Sequence, residues 1–250
     1  DQFYHRYYYD ANNRLQEVET SSDHWNWERQ AKYFYYEHGP LARVELGNEA
    51  QGQDYAYTIQ GWLKAINGTG TQDDDGASGI HSFFEPDAFA LELDYFSGDY
   101  TAIGGNSFLS NETIPSNRSL YNGNIASKYS KLPTADQNAL VKQTYRYDQL
   151  NRIKEMEAQS SSTAIATSNY SYDASGNLQN LNRSSLSANS MMQFDDLAYH
   201  YLPGKNQLKA VVDASNTNIS VDIIGSSNYN YDVLGNLISD SEAQIETVEW

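Results

Sequence analysis

Residues 170–178 read YSYDASGNL, and three further stretches rewrite them: YRYDQLNRI from Tyr145, YNYDVLGNL from Tyr229 and YYYDANNRL from Tyr7. Side chains alternate between the two faces of a strand, so Tyr-x-Tyr places both rings on one face. The aspartate that follows has a short carboxylate that accepts backbone N–H bonds. Gly-Asn or Asn-Arg, two or three residues later, supplies the positive φ that closes a turn. Leu178, Ile153 or Leu237 then opens the way back. Each stretch predicts strand, turn, strand, with a loop of about four or five residues instead of a two-residue turn.

The frame recurs along most of the chain. Units begin at Tyr7, Tyr33, Tyr55, Tyr145, Tyr170, Tyr199 and Tyr229, mostly about 22–30 residues apart, the period of a supersecondary unit. YFYYEHGPL, YAYTIQGWL and YHYLPGKNQL lack the aspartate and keep the ring pair and a turn residue. The return strands alternate imperfectly: Leu178 and Leu181 fall out of phase, which calls for a bulge or a strand end. TADQNALVK at 134–142 is a candidate short helix opened by Thr134. The repeat lapses over 68–121, where a Gly-, Asp- and Ser-rich loop leads into AFALELDYF, which alternates like a strand. AQSSSTAIATSN at 158–169 and DASNTNISVDIIGSSN at 213–228 read as linkers between hairpins, the second holding a strand at Ile219–Ile224. This organisation is one array: repeats over 1–67, an irregular insertion over 68–121, and repeats over 122–250 that end on QIETVEW, the opening of a truncated unit.

A net charge of −17, a pI near 4.5 and a mean hydropathy of −0.70 lean towards disorder. The 21 Tyr, 8 Phe and 4 Trp oppose this, because their rings cover apolar area while each polar tip finds a partner. With 250 residues the chain is long enough to bury a core. The acidic excess repels phosphate, so anionic membrane surfaces are poor partners and nucleic acid is not expected as one; cations and neutral ligands fit better. With 0 Cys there are no disulfides, thiolate metal sites or cysteine nucleophile. No apolar run reaches the roughly 18 residues of a membrane span, so membrane insertion is not expected. DQFYHRYYYD is neither a signal peptide nor an initiator-Met start, and the chain reads as an excised piece.

The pattern Tyr-x-Tyr-Asp-x-x-Gly-Asn-Leu resembles the YD repeat of the RHS (rearrangement hotspot) family, which includes bacterial polymorphic toxins, shell components of insecticidal toxin complexes and animal teneurins. YSYDASGNL and YNYDVLGNL fit it at every defining position. HGPLARVELG, YTIQGWLKAING, DAFALELDYFSGDY and LYNGNIA further resemble Bacteroidetes-type variants. The resemblance implies an all-β fold of tandem antiparallel β-hairpins, a curved, spiralling sheet that forms part of a hollow shell around a C-terminal cargo, often a toxin. It gives the signature residues Tyr7, Tyr9, Asp10, Tyr145, Tyr147, Asp148, Tyr170, Tyr172, Asp173, Gly176, Asn177, Tyr229, Tyr231, Asp232, Gly235 and Asn236 structural roles. It implies a secreted or cell-surface bacterial protein whose partners are the rest of its parent chain and its cargo. The self-cleaving aspartyl core of toxin members has no counterpart in this sequence.

Catalytic motifs are absent. His5, His24, His38, His81 and His200 are scattered, and no nucleophile elbow or phosphate-binding loop occurs. Asp10, Asp148, Asp173 and Asp232 recur at one hairpin position, which suits a turn; a catalyst needs one site, not several copies. Asp73, Asp74 and Asp75 are the candidate ligands for Ca²⁺, although EF-hand spacing is missing and a solvated acidic loop explains them as well. No other cofactor is expected. Trp25 and Trp27 would stack on sugar rings if exposed, but burial preference favours core. The expected function is a non-catalytic scaffold; the alternative is a carbohydrate-binding or adhesion module whose partner is a glycan or a cell-surface protein.

Overall fold

The computed structural model describes residues 2–69, 84–102, 109, 114, 118–132, 140–215, 228–241 and 243–250, and among them there are sixteen β-strands and no α-helix. The chain divides into two compact units, Asp1–Lys142 and Gln143–Trp250, where the repeat frame reads as a single array. The first unit carries β1 (Tyr4–Tyr9), β2 (Leu15–Ser21), β3 (Glu28–Tyr35), β4 (Leu41–Leu46), β5 (Gln51–Tyr57), β6 (Leu63–Ile66), β7 (Ala90–Asp94) and β8 (Ser127–Lys131). From β1 to β8, successive strands pair antiparallel with one another. The second unit holds most of β9 (Leu140–Tyr147), then β10 (Ile153–Ser160), β11 (Thr163–Tyr172), β12 (Leu178–Ser187), β13 (Ser190–Tyr201) and β14 (Leu208–Asp213) in sequential order. A separate two-stranded sheet follows, β15 (Tyr229–Tyr231) with β16 (Leu237–Asp240). The chain is thus an all-β protein of tandem antiparallel hairpins.

One irregularity repeats in every tyrosine-repeat hairpin whose register is defined. In β11–β12, Tyr172 faces Leu178, Ser171 faces Asn180 and Tyr170 faces Leu181, so Gln179 is an extra residue in the return strand. The same bulge puts Gln16, Ala42, Lys64, Lys209 and Ile238 out of register in their own hairpins. An extra residue flips the alternation that follows it. Leu178 and Leu181 therefore lie on one face, opposite Tyr172 and Tyr170. Their mismatch in sequence is the mark of the bulge.

Five residues, Asp173–Asn177, connect β11 to β12. The Asp173 N–H donates to the Asn177 carbonyl at 2.9 Å, and the Gly176 N–H to the Asp173 carbonyl at 3.1 Å. Hairpins without the aspartate keep this backbone pattern: Tyr36 and Pro40 with Gly39, and Thr58 and Trp62 with Gly61. Gly176 has φ 90°, and the equivalent Asn13 and Asn151 have φ 61° and 62°. A Cβ on Gly176 meets only Arg152 Nη1, at 3.9 Å, so any penalty there is conformational. Gly176→Ala is expected to cost about 1–3 kcal/mol in urea unfolding. Gly176→Asn should lose clearly less; equal losses would show that φ is not the cause.

One expectation is corrected. AQSSSTAIATSN at 158–169 is no linker: β10 runs to Ser160, β11 starts at Thr163, and Ser161 and Ser162 make a tight turn with φ 47° and 65°. Ala188 and Asn189 do the same between β12 and β13, with φ 46° and 69°. Positive φ at both central residues matches the twist of paired strands, but Ser-Ser and Ala-Asn do not advertise it. Of the candidate helix at 134–142, Leu140, Val141 and Lys142 belong to β9; 134–139, Ile219–Ile224 and Asp73–Asp75 lie outside the described residues. AFALELDYF does contain a strand, β7.

The core of the first unit gathers small side chains against large ones: Ala56, Ala65 and Leu109 cluster together and Tyr100 packs on them. Phe84, Tyr95, Ala126 and Tyr129 are also buried. Among the described residues of the second unit the buried apolar ones are few, namely Ala158, Leu197, Ala210 and Val211. Its other described apolar side chains are half-buried or exposed, so interfaces between neighbouring hairpins carry much of its cohesion.

Candidate functional site

The recurrent chemistry of the four Tyr-x-Tyr-Asp units is built around the aspartate. Oδ1 of Asp148 accepts the N–H groups of Leu150 and Arg152 at 2.8 and 3.0 Å, and Arg152 Nε donates to Oδ2 at 2.7 Å. Asp10 holds Asn12 and Arg14 in the same way. In Gly-Asn turns the asparagine replaces arginine: Asn177 Nδ2 donates to Asp173 Oδ2, and Asn236 Nδ2 to Asp232 Oδ2, each at 2.9 Å. These donors favour the ionised carboxylate. Backbone N–H groups hold Asp10, Asp148 and Asp232 below the usual carboxylate range, and the Asn177 side chain does so for Asp173. The unfolded chain therefore binds more protons at acid pH, and the stability that these turns contribute is present above pH ~4 and lost as the pH falls through the folded values. Thermal melts from pH 7 to pH 3 should show this loss, and Asp173→Asn should flatten it; an unchanged slope would remove the assignment.

In four of the pairs the second tyrosine joins neighbouring hairpins. The Tyr172 hydroxyl donates to the carbonyl of Ile153, the first residue of the preceding return strand, at 2.8 Å. Tyr35 does so to Leu15 at 2.6 Å, Tyr201 to Leu178 at 2.8 Å and Tyr231 to Leu208 at 2.9 Å. Tyr95, at the end of β7 within the insertion, donates to Leu63 at 2.8 Å. Trp250 takes the same place with its indole N–H, 2.8 Å from the Leu237 carbonyl, so QIETVEW lies along β16 as the next strand would. Burial pushes Tyr35, Tyr172, Tyr201 and Tyr231 above the ordinary phenol value and keeps them donors. Where the turn ends in arginine, its guanidinium also covers the next ring: Arg14 lies 4.5 Å from Tyr35 and Arg152 4.6 Å from Tyr172. Successive turns touch as well, through Arg152 Nη1 to the Asp173 carbonyl at 3.1 Å and Asn177 Nδ2 to Asn206 Oδ1 at 3.0 Å.

A buried charge cluster ties the insertion to the β5–β6 hairpin. Lys64 is that hairpin's bulged residue, and its ammonium bonds to Asp94 Oδ1 and, at 2.9 Å, to Asp99 Oδ1, with Glu92 Oε1 3.9 Å away. Thr69 Oγ1 donates to Glu92 Oε2 at 2.5 Å and the Tyr95 N–H to Asp99 Oδ2 at 2.8 Å. Lys64, Glu92, Asp94 and Asp99 are 3, 3, 4 and 8 % exposed. Burial works against the Lys64 charge, but Asp94 and Asp99 outweigh it and hold the ammonium above its ordinary value. Burial pushes Asp94 up despite Lys64, and its Oδ2 is enclosed without a hydrogen-bond partner. The lysine sits in the middle of the carboxylates, and among the described residues no group of His, Asp and Glu is arranged to hold a metal ion.

The sequence-derived candidates fall in different places. Tyr145 and Tyr147 are on β9, Tyr170 and Tyr172 on β11, and Tyr229 and Tyr231 on β15, all half-buried, with Gly235 in the last turn at φ 93°. Tyr7 and Tyr9, on β1, are 52 and 56 % exposed. Trp25 is 85 % exposed, which overturns a core role for it; Asp23 holds the 23–26 turn by accepting the Trp25 and Asn26 N–H groups. Trp27 has one ring face covered by Arg6, 3.7 Å from its centroid. Lys64, the hydroxyl links and the arginine covers are absent from the sequence reading. A lysine beside apolar residues in LKAI was the one trace of the cluster.

No protein-family model and no curated protein matches the chain. Among solved structures it is similar to a chain of the Photorhabdus luminescens Tc holotoxin pore, with a TM-score of 0.55 and 17 % identity over 94 % of this chain and 11 % of that one. A chain from the TcdB2-TccC3-TEV crystal structure aligns with a TM-score of 0.38 and 14 % identity, over 94 % of this chain and 12 % of that one. The chain spans about a tenth of the length of the holotoxin chain, and the likeness is one of fold. Among the described residues no helix is long and apolar enough to cross a membrane.

Proposed function

We propose that the chain is a non-catalytic segment of an RHS/YD-repeat shell that encloses or presents a cargo domain, needs no cofactor, and works outside the bacterial cell or on its surface. The observation that carries this reading is the recurrent tyrosine link between one hairpin and the carbonyl of the last, because it makes each repeat a coupling element. The Tc holotoxin fold likeness supports a shell-like structural role, and the insertion blocks suggest a Bacteroidetes-type variant. The test is made on the parent protein that carries this segment. Small-angle scattering should give the form factor of a hollow particle, and its C-terminal domain should resist protease until the repeats unfold. A solid particle, cut as fast as the free domain, would overturn the reading.

Exposed Trp25 favours a second reading, a glycan-binding or adhesion surface. Binding on a glycan array that is lost in Trp25→Ala and Trp27→Ala would support it. A flat array would remove it.

A further inference from the structure

Lys64 and Asp94 meet where water does not reach. Lys64 stands on β6 and Asp94 ends β7, and they are 3 and 4 % exposed. The Lys64 ammonium donates to Asp94 Oδ1, which leaves Nζ one C–O bond from Asp94 Cγ. An amine and a carboxyl carbon held together in this way react as if each were at very high concentration. The two aspartates around the ammonium differ in a way that suits such a reaction. Asp99 has a donor on each oxygen, Nζ at 2.9 Å from Oδ1 and the Tyr95 N–H at 2.8 Å from Oδ2, and these favour its ionised form. Asp94 Oδ2 is enclosed with no hydrogen-bond donor, so a charge on that carboxyl is costly, and burial pushes Asp94 up. One aspartate is thereby fitted to be a base and the other a neutral electrophile.

We propose that Lys64 and Asp94 become joined by an isopeptide bond, formed inside the folded chain with Asp99 as the catalytic base. Asp99 Oδ1 takes one proton from the ammonium, and the freed lone pair on Nζ attacks Cγ of the neutral Asp94 carboxyl. A second proton passes from Nζ to the Asp94 hydroxyl, which leaves as water. One C–N bond forms and one C–O bond breaks; nothing is oxidised or reduced, and no co-reactant is consumed. The first proton stays on Asp99. Glu92 Oε1 lies farther off, 3.9 Å from Nζ, which is why the base is Asp99. Burial opposes the ammonium, but Asp94 and Asp99 outweigh it, so the first transfer is uphill and the bond forms slowly, after folding has enclosed the pair. The product ties the β5–β6 hairpin to the insertion across 30 residues of sequence, in a chain with 0 Cys for disulfides. The link does not depend on the scaffold reading.

The test is the mass of the whole chain. Purified and then unfolded, it should be lighter than its sequence by one water. Trypsin cuts behind a free Lys64 and not behind an amidated one, and the next basic residues on either side are Arg43 and Arg118. Residues 44–118 should therefore appear as one peptide, lighter by the same water, with fragmentation placing the loss at the Lys64–Asp94 link. Asp94→Ala should abolish the water loss and open Lys64 to trypsin. Asp99→Asn keeps both linking residues and should also leave Lys64 cut, while circular dichroism shows the β-sheet retained. A chain of full mass overturns the proposal, and so does a lost water that leaves Lys64 open to trypsin. Complete linkage in Asp99→Asn overturns the role of Asp99 as base.

Discussion

Lys64→Met is expected to cost about 3–5 kcal/mol of stability, the range for removing one partner of a buried ion pair. Methionine fills the space of the lysine stem but leaves Asp94, Asp99 and Glu92 enclosed without the ammonium. Carboxylates stranded in this way take up protons, so their folded values rise above the unfolded ones. Stability of the variant then falls as the pH rises. The deficit against the parent chain should be larger at pH 8 than at pH 5, as read by urea unfolding at both. Adding Asp94→Asn to Lys64→Met should recover part of the loss, because it removes one unmatched charge. A deficit under 1 kcal/mol, or one that grows as the pH falls, would show that the cluster does not hold the insertion.

The hairpins were legible because their signals are local. Tyr-x-Tyr, the aspartate and the Gly-Asn or Asn-Arg pair stand within nine residues and act on one another's backbone, so strand, turn and strand follow from the stretch itself. What lay beyond reach depends on partners in other stretches. The bulge at Gln179 or Lys64 is defined by register against the facing strand, and only then does Lys64 turn inward next to Ala65. Asp94 and Asp99 come from the insertion, some 30 and 35 residues away. The tyrosine hydroxyls bond to carbonyls, which every residue carries, so no side-chain motif marks the acceptor. Tyr95 was hidden for a related reason: it keeps the link to Leu63 while the residues after it abandon the turn sequence. Trp25 was misjudged because its average burial preference says nothing about a turn tip braced by Asp23.

The same argument fixes what one tyrosine is worth. Tyr172→Ala removes a half-buried ring, its bond to the Ile153 carbonyl and the surface that Arg152 covers at 4.6 Å. A fully buried aromatic lost to alanine costs about 3–5 kcal/mol, so a half-buried ring with one neutral hydrogen bond and one cation–π contact should cost about 2–4 kcal/mol. Tyr172→Phe keeps the ring and should lose about 0.5–1.5 kcal/mol, the share of the hydroxyl. Tyr7→Ala, at a site where the ring is 52 % exposed, should lose less than Tyr172→Ala. Location matters as much as size. In an array of coupled hairpins the damage stays with nearest neighbours, so hydrogen exchange should rise in β10, β11 and β12 while β2 and β3 keep their protection. Equal losses at Tyr7 and Tyr172 would mean that the tyrosine pair acts within its own hairpin, and the carbonyl link would then be a by-product of packing and no longer the coupling between repeats.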